Sequence, residues 1–175
     1  MEPGPQPKLV VFSGLPGTGK STLAAALARA MAAPLFAVDP IEASMWRSGL
    51  PSTMTGVAAY GIVATLADEH LRRGQSVIVD AVNPVEAARA PWRALARRYQ
   101  ADLKIIECIC SDTAAHRERI AARVRAIAGM PEVTWDDVER RRAEYEPWSD
   151  ARLVIDTAGH DPARSHAAVL ACLGL

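Results

Sequence analysis

The chain has 175 residues, half of them hydrophobic, with 20 Lys and Arg balanced by 20 Asp and Glu. That length supports one domain with a sizeable core, and the apolar content excludes a disordered chain. Zero formal charge supplies no general attraction to nucleic acid or a membrane surface, and no apolar run is long enough to span a bilayer. In chain order, Met1 to Pro7 reads as a flexible leader and residues 8–175 as a single domain. Lys8 to Ser13 has strand character, and Thr22 to Ala30 is a strong helix former. Pro34 to Val38 reads as a second strand ending at Asp39, followed by a helix from Ile41 to Ser48 that carries Trp46 and Arg47. Gly49 to Gly56 reads as a loop, because Gly and Pro punctuate it. A longer helix is expected from about Val57 to Arg73, stopped by Gly74. Ser76 to Val79 is a third strand ending at Asp80, and Pro84 opens a helix to about Tyr99. Leu103 to Ile109 is a buried strand. Asp112 caps a helix to about Ala126, which Gly129-Met130-Pro131 breaks. Thr134 caps another helix, with Asp136 and Asp137 favouring its dipole. Leu153 to Ile155 is the last strand, and Pro162 opens the terminal helix.

Apolar strands alternating with helices predict a five-stranded parallel sheet covered on both faces, a three-layer α/β/α fold. Ligands of such sheets bind beyond the carboxyl ends of the strands. The polar residues just past those ends are therefore the informative ones: Gly14 to Ser21, Asp39, Asp80, Asn83, Ser111, Asp112, Asp156 and Thr157. Cys108, Cys110 and Cys172 follow no metal or disulfide spacing; the first two read as small core hydrophobes on one strand face. His70, His116, His160 and His166 show no ligand spacing and read as ordinary.

The run Gly14-Leu15-Pro16-Gly17-Thr18-Gly19-Lys20-Ser21, between a strand and a helix, is the pattern of a phosphate-binding loop. Gly14, Gly17 and Gly19 let the backbone close around phosphate, and its N–H groups and the helix N-terminus aim partial positive charge at the anion. Pro16, Thr18 and Thr22 complete the wrap. Lys20 supplies a mobile cation for the outer phosphates, and the Ser21 hydroxyl is placed to ligate Mg²⁺. A nucleoside triphosphate, read as ATP with Mg²⁺, is the expected ligand. Asp80 can hold the metal through water or orient an acceptor hydroxyl. Asp39 can take a proton from that hydroxyl or align it, and it can also serve as an N-cap for the helix that follows. Arg119 and Arg123, four apart, share a helix face and suit a lid over the nucleotide. Arg47, two turns beyond Asp39, is a candidate anchor for an anionic or hydroxyl-rich acceptor, beside a wall of Trp46, Met54 and Tyr60, with Trp135 and Trp148 further candidates.

The chain resembles the small P-loop kinases of the adenylate-kinase-like fold, in the group that joins polynucleotide-kinase domains, gluconate kinases, chloramphenicol phosphotransferases and zeta-toxin-like kinases. The resemblance runs from about Leu9 to Leu173. It rests on Gly14 to Thr22, Val38-Asp39, Val79-Asp80-Ala81-Val82-Asn83, Arg119 to Arg123 and Glu144-Tyr145-Glu146-Pro147-Trp148. It implies that Asp39 is the general base, that Arg119 and Arg123 are lid arginines, with Arg119 at the nucleotide and Arg123 catalytic, and that Asp80 and Asn83 face metal or substrate. The lid would span about residues 112–147. One departure is the apolar Ala126-Ile127-Ala128, where such lids are usually basic. The expected activity is ATP-dependent phosphorylation of a small-molecule hydroxyl in the cytoplasm, by a monomer or a homodimer. A 5′-hydroxyl polynucleotide kinase and a nucleotide-dependent switch are the alternatives; the neutral charge argues against a nucleic-acid partner.

Overall fold

The computed structural model describes residues 6–124, 127–159 and 161–175. Five strands, β1 (Lys8–Ser13), β2 (Leu35–Ala37), β3 (Val77–Asp80), β4 (Asp102–Ile109) and β5 (Leu153–Asp156), form one sheet in the order β2-β3-β1-β4-β5, with every pair parallel. The helices are α1 (Lys20–Met31), α2 (Val38–Arg47), α3 (Ser52–Leu71), α4 (Glu86–Tyr99), α5 (Thr113–Ala122), α6 (Trp135–Glu144) and α7 (Pro162–Leu173). Side chains of a strand alternate between faces, and β1 shows why both faces here must be covered. Leu9 and Val11 enter one core with α3 and α4, while Val10 and Phe12 enter the other with α1 and α7. No helix among the described residues is long and apolar enough to cross a membrane.

The strands fall where the apolar runs predict them, within one or two residues. The helix starts differ more. Helix α2 begins at Val38, so Asp39 lies in its first turn and is not its N-cap; Ala37 takes that position without a side-chain cap. The expected loop over Gly49 to Gly56 shrinks, because α3 starts at Ser52. Thr55 explains this. Its hydroxyl receives the Trp46 indole N–H at 2.6 Å and lies 3.0 Å from the Glu42 carboxylate, and these tertiary bonds outweigh the roughly 1 kcal/mol cost of Gly56 in a helix. Helix α4 starts at Glu86, two residues after Pro84. Helix α5 ends at Ala122 with Arg123 extended, short of the expected Ala126, which lies outside the described residues, as does Arg125. Asp112 caps α5, and Thr134 with Asp137 forms a reciprocal capping box on α6. Cys108 is buried on β4, but Cys110 lies beyond the strand with its thiol against the Asp112 carbonyl, so the two do not share the core.

Arg89 joins two stretches that are remote in sequence. Its guanidinium is buried and donates to the carbonyls of Asn83, Pro84, Glu146 and Pro147. It lies 4.1 Å from the centre of the Trp148 ring and 5.3 Å from that of Tyr145. The loop after β3 is thereby fastened to the segment after α6. Arg89→Met fills the space and leaves those carbonyls without a donor. It should cost about 3 kcal/mol or more and lower the melting temperature by roughly 10 °C, whereas Arg98→Met at the exposed end of the same helix should change it little.

Candidate active site

The loop between β1 and α1 rises from the centre of the sheet, because β1 lies between β3 and β4. Two of its glycines are demanded by close approach. A Cβ on Gly14, whose φ is +134°, would lie 2.2 Å from the Cys108 carbonyl oxygen. One on Gly17, at φ +81°, would lie 2.7 Å from Ile120 Cδ1 on α5. The loop is thus pressed against β4 on one side and α5 on the other. Thr18 closes it from within, its hydroxyl donating to the Leu15 carbonyl at 2.8 Å. Lys20, the first residue of α1, is buried. These are the parts of an anion cradle: N–H groups, a helix N-terminus and a cation held out of bulk water.

A cavity of about 490 Å³ opens on this cradle, within the range of small-molecule sites. Gly17, Gly19, Lys20, Ser21 and Thr22 line one end; Arg119, Arg123, Thr157, Pro162 and Ser165 line the other. Arg119 is held in place by Thr157, donating to its hydroxyl at 2.7 Å and its carbonyl at 2.6 Å. That fixes the guanidinium plane, and a planar cation at the mouth of such a cavity can lie flat on a base. Arg119 and Arg123 therefore both line the cavity that the phosphate loop opens, as does Thr157.

The other predicted residues divide. Asp80 ends β3 beside Phe12 of β1; it is buried, and its Oδ1 has no hydrogen-bond partner among the described residues. An orphaned carboxylate oxygen one strand from the loop fits a cation or a donor supplied by a ligand. Asp39 lies at the end of β2, two strands from the loop, an offset of roughly 10 Å at ordinary strand spacing. It acts electrostatically on Tyr60, whose phenol is pushed well above its ordinary value, first by burial and further by the Asp39 charge. Asn83 does not face a ligand. It is fully buried at φ +51°, its amide N–H groups face the Phe12 and Ala81 carbonyls, and its Oδ1 accepts the Trp92 indole N–H at 2.9 Å. Its role is to shape the turn after β3. Arg47 also departs from expectation, since it donates to the Ala128 carbonyl beyond α5.

Of the expected aromatic wall, Tyr60 remains, with its oxygen accepting the Asn83 N–H at 2.9 Å. Met54 points outward at 70 % exposure, Trp46 bonds Thr55 at the α2–α3 junction, and Trp148 is buried beneath Arg89. Trp135 packs edge-on to His116, with ring centres 5.3 Å apart. His116 is itself more than ordinary. Its ring is buried behind the phosphate loop, with Nε2 2.7 Å from the Pro16 carbonyl, and it lines a second cavity of about 320 Å³ shared with Gly14, Glu107, Arg142 and Tyr145. The available signal was its spacing: His116 and Ile120 are one turn apart on the α5 face opposite the loop. The same helical reading, applied to Val138, Arg141 and Tyr145 on α6, would have singled out Arg141.

Fold and site together define the class: a P-loop NTPase with the architecture of the small P-loop kinases. Residues 9–147 match the model of a family described as AAA domain, and the chain belongs to that family. An uncharacterized protein of Mycobacterium tuberculosis is 33% identical over 167 residues, a match covering 87% of this chain and 32% of that one. The chain thus spans about a third of the length of the curated relatives it matches. A candidate kinase of Chloroflexus aurantiacus is 25% identical, with a TM-score of 0.77 over 97% of both chains. The APS kinase of Mycobacterium tuberculosis, solved with AMPPNP and APS, shares the fold at 21% identity and a TM-score of 0.72, over 98% of this chain and 99% of that one.

The His116 environment predicts a pH effect. Burial, with Arg142 and Arg119 adding to it, lowers its pKa below the ordinary 6.5, against an opposing contribution from the Pro16 carbonyl. The unfolded chain therefore holds more protons than the folded one just below pH 6.5, so this residue's contribution is intact above that pH and lost as the pH falls. Calorimetric melts should show stability dropping from pH 7 to 5.5 by at most about 1.4 kcal/mol per unit, a slope that His116→Gln should flatten.

Proposed function

We propose that the chain transfers the γ-phosphoryl group of ATP to a hydroxyl of a small molecule. The observation that carries this reading is the spacing of three features along the sheet edge. The phosphate loop follows β1, the orphaned carboxylate of Asp80 ends β3 beside it, and Asp39 stands past β2 one strand further on. The two-strand offset between Asp39 and the loop suits an acceptor, whereas a hydrolytic switch needs only a water there. In the proposed reaction the acceptor oxygen bonds to the γ-phosphorus as the bond to the β,γ-bridging oxygen breaks. The hydroxyl proton passes to Asp39, and ADP leaves. Loop amides, Lys20 and Arg123 stabilise the charge spread over the transferring group. Arg119 holds the nucleotide base. The Ser21 hydroxyl and Asp80 would hold Mg²⁺, which when bound neutralises charge on the β- and γ-phosphate oxygens. The segment carrying Arg119 and Arg123 covers the phosphates, which keeps water from replacing the acceptor. Use of ATP fits a cytoplasmic location.

The test is ATP consumption screened against sugars, nucleosides, hydroxylated antibiotics and 5′-hydroxyl oligonucleotides. Lys20→Ala should abolish turnover and weaken nucleotide binding measured by calorimetry. Asp39→Asn should keep nucleotide affinity while lowering kcat by about 10²–10⁴-fold, the range of a lost general base. Unchanged turnover in Asp39→Asn would remove the base assignment.

A further inference from the structure

Helix α6 carries three successive arginines, and two of them are neutralised within the helix. Arg140 pairs with Asp137 at 2.5 Å and Arg142 with Glu139 at 3.2 Å. Arg141 is half-buried and has no hydrogen-bond or ion-pair partner among the described residues. Helix spacing fixes the direction it takes. Val138, three residues earlier, is fully buried, and Tyr145, four residues later, has its hydroxyl 2.8 Å from Ser13 Oγ at the foot of the phosphate loop. Arg141 lies between them on the stripe that faces the sheet edge. Arg142, one residue on, lines the second cavity on the β4 side of the loop. A step of one residue turns about a quarter of the way round a helix, which directs Arg141 toward the β3 side. There it acts on the Tyr60 hydroxyl from α6, as Asp39 does from α2. Helix α6 packs against α5 and not closely against α2 or α3, and we take the space between the three contributors as the acceptor cleft.

A half-desolvated guanidinium without a counter-ion is costly, and an oxyanion entering the cleft recovers that cost through a charge-assisted, commonly bidentate pair. Tyr60, whose burial keeps its phenol neutral, and Asp39 face the same cleft, but neither forms a hydrogen bond or ion pair with Arg141 among the described residues, so a neutral polyol would leave the cation unmatched. We infer that the acceptor carries a carboxylate or phosphate group in addition to its hydroxyl, and that Arg141 binds this group while the hydroxyl lies at Asp39. Arg141 is then the residue that sets acceptor specificity. The inference rests on the phosphotransfer reading and narrows its substrate to hydroxy acids or phosphorylated alcohols.

The experiment uses matched triads: glycerol, glycerate and glycerol 3-phosphate; glucose, gluconate and glucose 6-phosphate. Binding is read first, from the Arg141 Nε–H resonance in the AMPPNP-loaded full chain, assigned by its absence in Arg141→Lys. The charged members should shift that resonance and the neutral ones leave it in place; which charged member does so separates a carboxylate from a phosphate ligand. Turnover is read second. Arg141→Ala should raise the KM of a charged acceptor by about 10–100-fold with the KM for ATP within about twofold, and Arg141→Lys should recover part of the loss. No shift with any charged member, or equal use of neutral and charged acceptors, overturns the inference and leaves phosphotransfer standing. An Arg141→Ala effect confined to ATP overturns it too, by assigning the arginine to the γ-phosphate. A shift without phosphorylation of any acceptor instead refutes the phosphotransfer reading on which the inference rests.

Discussion

Everything at the sheet edge depends on how tightly the backbone of the phosphate loop packs against its surroundings. Gly14 touches the carbonyl of Cys108 and Gly17 touches Ile120 and His116, with no room for a side chain at either place. A loop held so closely has few alternative conformations, so its N–H groups are aimed before any anion arrives. Preorganised donors of this kind cost no rearrangement on binding and lose nothing to reorientation during reaction. The supports come from three remote parts of the chain. Cys108 belongs to β4, His116 and Ile120 to α5, and Thr157, whose hydroxyl is 3.1 Å from the Thr18 carbonyl, follows β5. A change in any of them reaches the phosphates through the loop.

Helix α6 and the segment after it connect the two halves of the site. The ring of Trp135 at its start is contacted by the guanidinium groups of Arg117 and Arg142 and packs against His116, so α6 is keyed to the back of the loop. At its other end Tyr145 reaches Ser13, while Glu146 and Pro147 give their carbonyls to Arg89. Arg89 in turn holds the turn after β3, whose Asn83 supports Tyr60. The run Glu144 to Trp148 is therefore architectural. It sets where α6 stands, and with it the position of Arg141. A buried arginine bonded to four carbonyls instead of a carboxylate avoids placing a second buried charge near the acidic groups of the site.

The relatives put this domain in context. The mycobacterial protein it matches is about three times as long, so the same domain is there part of a larger chain. Solved structures of similar size cover nearly all of both chains. Fold likeness at 17–25% identity carries the architecture and leaves the substrate to be read from the side chains of this chain.

The local pattern of the sequence determined the strands, the phosphate loop and the caps at Asp112 and Thr134, because each depends on residues within a few positions of one another, and the alternation of those strands with helices implied the parallel sheet. It also singled out Asp39, Asp80, Arg119 and Arg123, since strand ends and helical spacing are local properties. Tertiary structure decided the rest. Asn83 has the same polar character as Asp80, but only the fold shows its amide consumed by Phe12, Ala81 and Trp92. Arg47 looked free for a ligand until Ala128, 81 residues away, took its guanidinium. His116 and Arg141 carried no motif, and their significance comes from what stands opposite them. A side chain's type is written in the chain, but whether its hydrogen bonds are already satisfied is settled by partners distant in sequence, and that decides whether it is left for a ligand.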